Sequence, residues 1–282
     1  MPPTPPREAG PGKARRPDAR PDPRADTRPD ARPIHRPVVL ITGASSGIGE
    51  ALADRFAADG RSRLLLSGRD ERRLASVARR TGGGALMADL GERAGVERLA
   101  AEALEREGRV DALVAAAGIG WAGPFTDMPA DAVDRLISVN LSAVVHLVRH
   151  VLPGMVQRGV GHVVMIGSMA GRVGVANEAV YAATKGGLLA FADSLRYELA
   201  GTRVRVTVVL PGAVDTPFFG RRGVPYHRER PRPVPADRVA ETVWRAVVRG
   251  RDEVFVPAWL AMPARLHGAV PGFFRAMAKR FG

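Results

Sequence analysis

Short apolar runs recur along this 282-residue chain, and stretches of helical spacing separate each from the next. The runs are Val38-Val39-Leu40-Ile41, Leu64-Leu65-Leu66, Ala85-Leu86-Met87, Val110 to Ala115, His162 to Ile166, Val204 to Leu210 and Val254-Phe255-Val256. Short continuous apolar runs suit strands buried on both faces. Between them the spacing predicts helices over 50–59, 70–80, 94–107, 130–158, 179–200 and 236–249. Strand and helix alternating in this way require right-handed crossovers and one parallel sheet with helices on both faces. The expected class is α/β, a single doubly wound domain of about seven parallel strands.

The first 36 residues lack this pattern. They are Pro- and Arg-rich, loosely repetitive (Arg16-Pro17-Asp18-Ala19, then Arg28-Pro29-Asp30-Ala31) and poor in apolar side chains. Such a segment does not offset its ordering entropy and is expected to be a disordered tail. The domain is expected over 37–257, with 258–282 as an extension. The net charge of +13 has a location: residues 1–36 hold 9 Lys/Arg against 5 Asp/Glu, 220–282 hold 13 against 5, and the body between holds 20 against 19. A nucleic-acid enzyme would place its charge where its chemistry sits, so no specific nucleic-acid partner is expected. The absence of cysteine excludes a disulfide framework and a thiolate metal site. No apolar run approaches the roughly 18 residues that cross a bilayer. The N-terminus has no apolar signal core, and a soluble cytoplasmic protein is the expectation.

Thr42-Gly43-Ala44-Ser45-Ser46-Gly47-Ile48-Gly49 follows the first run and leads at once into a helical stretch. Glycines at a strand-to-helix turn let the backbone approach a pyrophosphate, and the helix N-terminus offers free N–H groups and the positive end of its dipole. Ordinary turns also use glycine, so the argument rests on three glycines at this spacing in this strand–helix context. A nucleotide-binding turn is expected.

Tyr181 and Lys185 stand four apart inside a predicted helix, hence on one face and one turn apart. A phenol with pKa of about 10 is a reluctant acid or base at neutral pH. A nearby ammonium favours the phenolate and is expected to bring the tyrosine toward the working range. The chain holds only three lysines (Lys13, Lys185, Lys279) and otherwise uses arginine, which makes an incidental pairing improbable. Ser168 ends the run from Val163, where the crevice of a parallel sheet lies. There it either caps the next helix or polarises a carbonyl and stabilises the alkoxide. Asn140 interrupts a long apolar helix, where its propensity is poor and a specific task is expected.

The T-G-x-x-x-G-x-G turn and the Y-x-x-x-K pair resemble the classical short-chain dehydrogenase/reductase family, whose further motifs follow in order from about Pro37 to Val256. The resemblance implies a Rossmann-type fold with strand order 3-2-1-4-5-6-7. It also implies an oxidoreductase moving a hydride between a nicotinamide and a carbonyl or alcohol carbon. Asn140, Ser168, Tyr181 and Lys185 match the catalytic tetrad: Tyr181 as acid/base, Lys185 also on the ribose hydroxyls, Asn140 holding a water that relays protons to Lys185. Thr42, Gly43, Ser45, Ser46, Gly47, Ile48 and Gly49 would cradle the phosphates, and Asp89 would lie beside the adenine. Pro211, Gly212, Val214 and Thr216 would pack over the nicotinamide, the last two against its carboxamide. Gly118 closes a motif that departs from the family: Ala115-Ala116-Ala117-Gly118 stands for N-N-A-G. The lost asparagines would have tied neighbouring strands, so the departure questions local stability more than chemistry.

An NAD-preferring site carries an acid at the end of the second strand. Here Ser67 takes that place, and Arg69 just beyond it either meets a 2′-phosphate in fork geometry or is one more solvated arginine. NADP(H) is expected over NAD(H). Phe218, Phe219 and Tyr226, where the family places its substrate loop, either line an apolar pocket or pack beneath the loop, and Trp121 is a second candidate wall. An apolar carbonyl or alcohol compound is expected over a sugar. Beyond 257, Trp259, Leu260, Met262, Leu266, Phe273, Phe274, Met277 and Phe281 interleave with Arg265, Arg275, Lys279 and Arg280, with prolines breaking the stretch. An interfacial helix making weak membrane-surface contact has this composition, as do a flap over the cleft and a subunit contact. His146 and His150 share a helix face without acids or cysteines nearby, so no metal is expected. The equivalent helix in relatives packs between subunits, which implies a homodimer or homotetramer. An NADP-binding regulator or scaffold without turnover is the rival reading, and the complete tetrad argues against it.

Overall fold

The computed structural model describes residues 36–226, 231–272 and 274, with 1 and 3 at the start. The chain divides into two units, Met1–His35 and Arg36–Gly282. The expected tail lies almost wholly outside the described residues. Seven strands form one parallel sheet: β1 (Val38–Thr42), β2 (Arg63–Gly68), β3 (Gly84–Met87), β4 (Ala112–Ala115), β5 (Val160–Ile166), β6 (Arg203–Pro211) and, last in the chain, β9 (Glu253–Val256). The order β3-β2-β1-β4-β5-β6-β9 is the expected doubly wound one. Two further strands, β7 (Val214–Asp215) and β8 (Val234–Pro235), pair with each other.

Burial on both faces explains the continuous apolar runs. Along β1, Val38 and Leu40 enter one core with α3 (Arg93–Glu107), α5 (Ala143–Arg158) and α7 (Ala179–Glu198). Val39 and Ile41 enter the other with α1 (Gly47–Asp59), α2 (Glu71–Thr81) and α9 (Ala236–Arg249). No position of such a strand is left for a solvent-facing polar residue. The winding reverses between β1 and β4, which opens a crevice at the C-terminal ends of the strands.

The helix predicted over 130–158 is continuous but not uniform. α4 (Ala130–Ile137) joins α5 through a π turn at Ser138–Ser142. By length and composition the run 130–158 is long and apolar enough to cross a membrane, against the sequence expectation, yet 44% of its most apolar window is buried inside the fold. Val144, Leu147, Val148, Val151 and Met155 pack in the core, which accounts for the hydropathy.

The spacing did not predict α6 (Met169–Val173) or α8 (Phe218–Arg221), nor β7 and β8; each is too short to show a period. Past 257, α10 (Ala261–Ala269) is part of the main unit. Leu260 and Ala264 are buried in its core, whereas Trp259 and Met262 are exposed. Pro263 does not break this helix, because it falls in the first turn, where its missing N–H has no partner to lose. Phe273, Arg275, Met277, Lys279, Arg280 and Phe281 lie outside the described residues.

Candidate active site

The glycine turn runs from β1 into α1. Gly43 and Gly47 hold left-handed φ values of 69° and 59°, which favour glycine. A Cβ on Gly49 would sit 2.2 Å from the Gly43 carbonyl oxygen, and one on Gly43 2.8 Å from the Ala117 backbone. Only glycine permits this closeness. Ser46 is the N-cap of α1, yet no side chain caps the first-turn amides. No side chain therefore competes for the first-turn N–H groups of Ile48 and Gly49, a cradle that fits a phosphate. Thr216 closes over it, its side chain 3.1 Å from where a Gly47 Cβ would stand.

Thr42 departs from the expectation of cofactor contact. It is 1% exposed, and its hydroxyl accepts from the N–H groups of Ala116 and Ala117, both at 3.1 Å. This bond ties β1 to the segment after β4. The task expected to be lost with the family's asparagines is thus done from the neighbouring strand, and Thr42 shapes the cradle from behind. Val214 likewise has its side chain in the core, 5% exposed, so only its backbone faces the crevice. Gly212 donates its N–H to Val256 at 2.9 Å, which fixes the turn after Pro211 to the edge strand.

At the end of β2, Ser67 is buried and its carbonyl accepts from Ala44 N at 2.9 Å. Gly68 has no room for a side chain, since a Cβ would meet Ser45 Oγ at 2.9 Å. Arg69 is therefore the first exposed side chain there; Ser67 and Gly68, not an acid, end the strand, and the Asp89 carboxylate after β3 feels the Arg69 charge. Asp89 lies two residues past β3. Its carboxylate accepts from Gly91 N at 2.8 Å and from Arg135 at 3.1 Å. Burial pushes this acid up, but those partners outweigh it and hold it below its ordinary value.

The tetrad converges at the ends of β4 and β5. Ser168 follows β5, and its Oγ accepts from Ala170 N at 3.1 Å as the N-cap of α6, the first of the two tasks the sequence left open; it also shares a side-chain hydrogen bond with Tyr181. Lys185 is 4% exposed and donates Nζ to the Ile166 carbonyl at 2.8 Å, with Nζ 5.9 Å from the Tyr181 ring centre. Burial pulls this ammonium down to about 8. Asn140 is fully buried in the π turn. Its Oδ1 accepts from Ile119 N and its Nδ2 donates to Ile119 O, both at 2.9 Å, with Thr184 Oγ1 at 3.3 Å. Its side chain fixes the chain after β4, with both amide hydrogens engaged. Gly118 sits where a Cβ would lie 3.4 Å from Asn140 Oδ1 and 3.5 Å from Lys185 Nζ, so both groups end at one spot.

Tyr181 behaves against expectation. Its phenol is pushed up to about 12, first by burial and further by the Glu178 carboxylate, against the pull of Ser168 and Arg222. The ammonium lies beside the ring, engaged by a carbonyl, and does not reverse the shift. Phe218 of α8 stands 5.5 Å from the Tyr181 ring and walls the site, whereas the Phe219 and Tyr226 rings meet each other tilted at 45°, with centres 5.0 Å apart. The two outcomes left open are thus divided among these aromatics. Trp121, Phe125, Met128, Leu136, Glu178 and Val180 gather about Tyr181 and leave no room between them for a water-sized molecule. Missed by the spacing were Arg222, whose guanidinium pairs with Glu178, and Arg221, which bonds Ser46 Oγ at 3.1 Å. Among the described residues no group of three His, Cys, Asp or Glu could hold a metal ion.

A doubly wound sheet with a glycine-turn cradle facing a Tyr–Lys–Ser cluster defines the class, a nucleotide-binding oxidoreductase fold. The model of the short chain dehydrogenase family matches residues 37–224. An uncharacterized oxidoreductase of Myxococcus xanthus is 36% identical over 252 residues, covering 86% of this chain and 96% of its own length. The short-chain dehydrogenase from Sphingobium yanoikuyae, solved in complex with NADPH, is 33% identical with a TM-score of 0.74, over 84% of this chain and 95% of that one. A short chain dehydrogenase/reductase from Burkholderia phymatum, solved with NAD, is 26% identical with a TM-score of 0.75, over 84% and 94%. This chain belongs to the short chain dehydrogenase family, a family of oxidoreductases.

Proposed function

We propose that this protein is an NADP(H)-dependent dehydrogenase/reductase acting on a carbonyl or alcohol carbon of an apolar substrate, with Tyr181 as the proton carrier. The observation that carries this reading is the convergence of Ser168, Tyr181 and Lys185 beside Gly118, across the crevice from the glycine turn. The cofactor, when bound, supplies or accepts the hydride. Lys185 holds a compact donor inside the site, suited to ribose hydroxyls and to returning a proton to the phenol. The Ser168 hydroxyl polarises the substrate oxygen and Tyr181 donates to it as negative charge develops. A phenol raised to about 12 keeps its proton at neutral pH, the form that can donate to a carbonyl oxygen.

NADP(H) over NAD(H) is supported by the exposed Arg69 just past β2 and by Ser67 and Gly68, in place of an acid, as the last residues of that strand; the solved relatives include one with each cofactor. An apolar substrate is supported by the apolar side chains that gather about Tyr181, namely Trp121, Met128, Val180 and Phe218. A screen of NADPH oxidation over ketones and aldehydes of graded size and polarity tests the reading. Turnover is expected with bulky apolar ketones. Tyr181→Phe is expected to keep NADPH binding and lose turnover by several orders of magnitude, and equal turnover in that variant would remove the proposed acid.

A further inference from the structure

α8 lies outside the sequence motifs of the site, and its last residue reaches across the crevice to the phosphate cradle. Arg221 Nη1 donates to Ser46 Oγ at 3.1 Å. Ser46 is the N-cap of α1, yet its hydroxyl makes no cap bond to the helix and is met by this guanidinium. We propose that Arg221 is a ligand of the cofactor's diphosphate, delivered by the substrate loop, so that seating α8 closes cofactor and catalytic tyrosine together. The inference rests on the nicotinamide-cofactor reading above.

Three features carry it. Arg221 is exposed, and among the described residues it has no carboxylate partner, unlike Arg222 beside it. A lone serine hydroxyl satisfies little of a guanidinium fork, and a diphosphate at the same mouth would complete it. Second, α8 is anchored independently of Arg221. Phe218 packs on Tyr181 and lies 2.7 Å from where a Cβ of Gly120 would stand, Ala122 N donates to the Arg222 carbonyl at 3.3 Å, and Arg222 pairs with Glu178. Arg221 is thus held at the cradle by contacts that need no ligand. Third, the two arginines of the cradle come from different sides. Arg69 follows the end of β2, whereas Arg221 arrives at Ser46 from the segment following Thr216, which covers Gly47. The ribose 2′-phosphate falls to the first and the bridging diphosphate to the second.

The test measures binding by the full chain, by fluorescence titration, without turnover. Arg221→Ala is expected to weaken NADPH and NADH alike by about tenfold, the scale of one charge-assisted hydrogen bond. Arg221→Lys should recover part of the loss. Adenosine 2′-monophosphate, which carries no 5′-phosphate, should bind wild type and Arg221→Ala equally. Retention of NADPH affinity within twofold in Arg221→Ala, or an equal loss for adenosine 2′-monophosphate, would overturn the assignment. Failure of the wild-type protein to bind either dinucleotide would instead sink the cofactor reading, and the clamp with it. Because the side chain is exposed, an unchanged melting temperature is expected and separates binding from folding.

Discussion

Tyr181 holds its proton although a lysine lies one turn away, because burial acts on the phenolate directly while the ammonium is itself half-satisfied by the Ile166 carbonyl. The same desolvation brings Lys185 down to about 8, so the pair is poised with the proton on the phenol and a weakened cation behind it. Arg69 acts at the other end of the crevice. Arg69→Ala should raise the Kd for NADPH by tenfold or more and leave NADH nearly unchanged, since only NADPH carries the extra phosphate; equal losses for the two would overturn the cofactor preference. His162 has no part in the chemistry. It is 8% exposed with Nε2 2.7 Å from Thr207 Oγ1, and burial, aided by Arg205, pulls it down to about 4. The unfolded chain binds this proton first, so stability is full above about pH 6.5 and falls as pH drops toward 4. The loss approaches about 3 kcal/mol. Chemical denaturation across that range should show a shallower acid slope for His162→Gln, and identical slopes would mean the imidazole is not held neutral.

Two short elements decide the working shape of the site. The π turn at Ser138–Ser142 places Asn140 against both polar atoms of the Ile119 peptide, which positions the chain next to Gly118. α8 is the second. The Arg222–Glu178 pair that anchors it is 10% and 14% exposed, deep enough that removing one partner leaves a costly uncompensated charge. Arg222→Met should lower the melting temperature and raise KM several-fold. It should also move the alkaline limb of the pH–rate profile upward, because the Glu178 carboxylate then acts on the buried phenol without its counterweight. Glu178→Gln combined with Arg222→Met should recover stability but not KM. Recovery of both would show that the pair braces the fold without seating α8.

At the scale of the molecule, every site element lies between β1 and α8, inside the unit Arg36–Gly282. Deleting residues 1–36 should therefore leave kcat/KM and melting temperature nearly unchanged, measured side by side with the full chain; a loss beyond a few-fold would give the segment a part in the fold. The strands were legible because a strand covered on both faces is apolar along its buried stretch, as β1, β4 and the later parts of β5 and β6 are, whereas their order came from the family resemblance. The Y-x-x-x-K pair was legible because helical periodicity puts residues four apart on one face whatever surrounds them. What could not be read came from contacts distant in sequence. The Thr42 hydroxyl replaces the missing asparagines from 74 residues away, and Arg221 meets Ser46 across 175. Backbone periodicity and glycine sterics are local, so the sequence by itself determined the elements, their winding and the face shared by Tyr181 and Lys185. The direction of the tyrosine's shift, the task of Asn140 and the seating of α8 depend on burial and on pairings summed over the packed fold, and only the tertiary structure decided them.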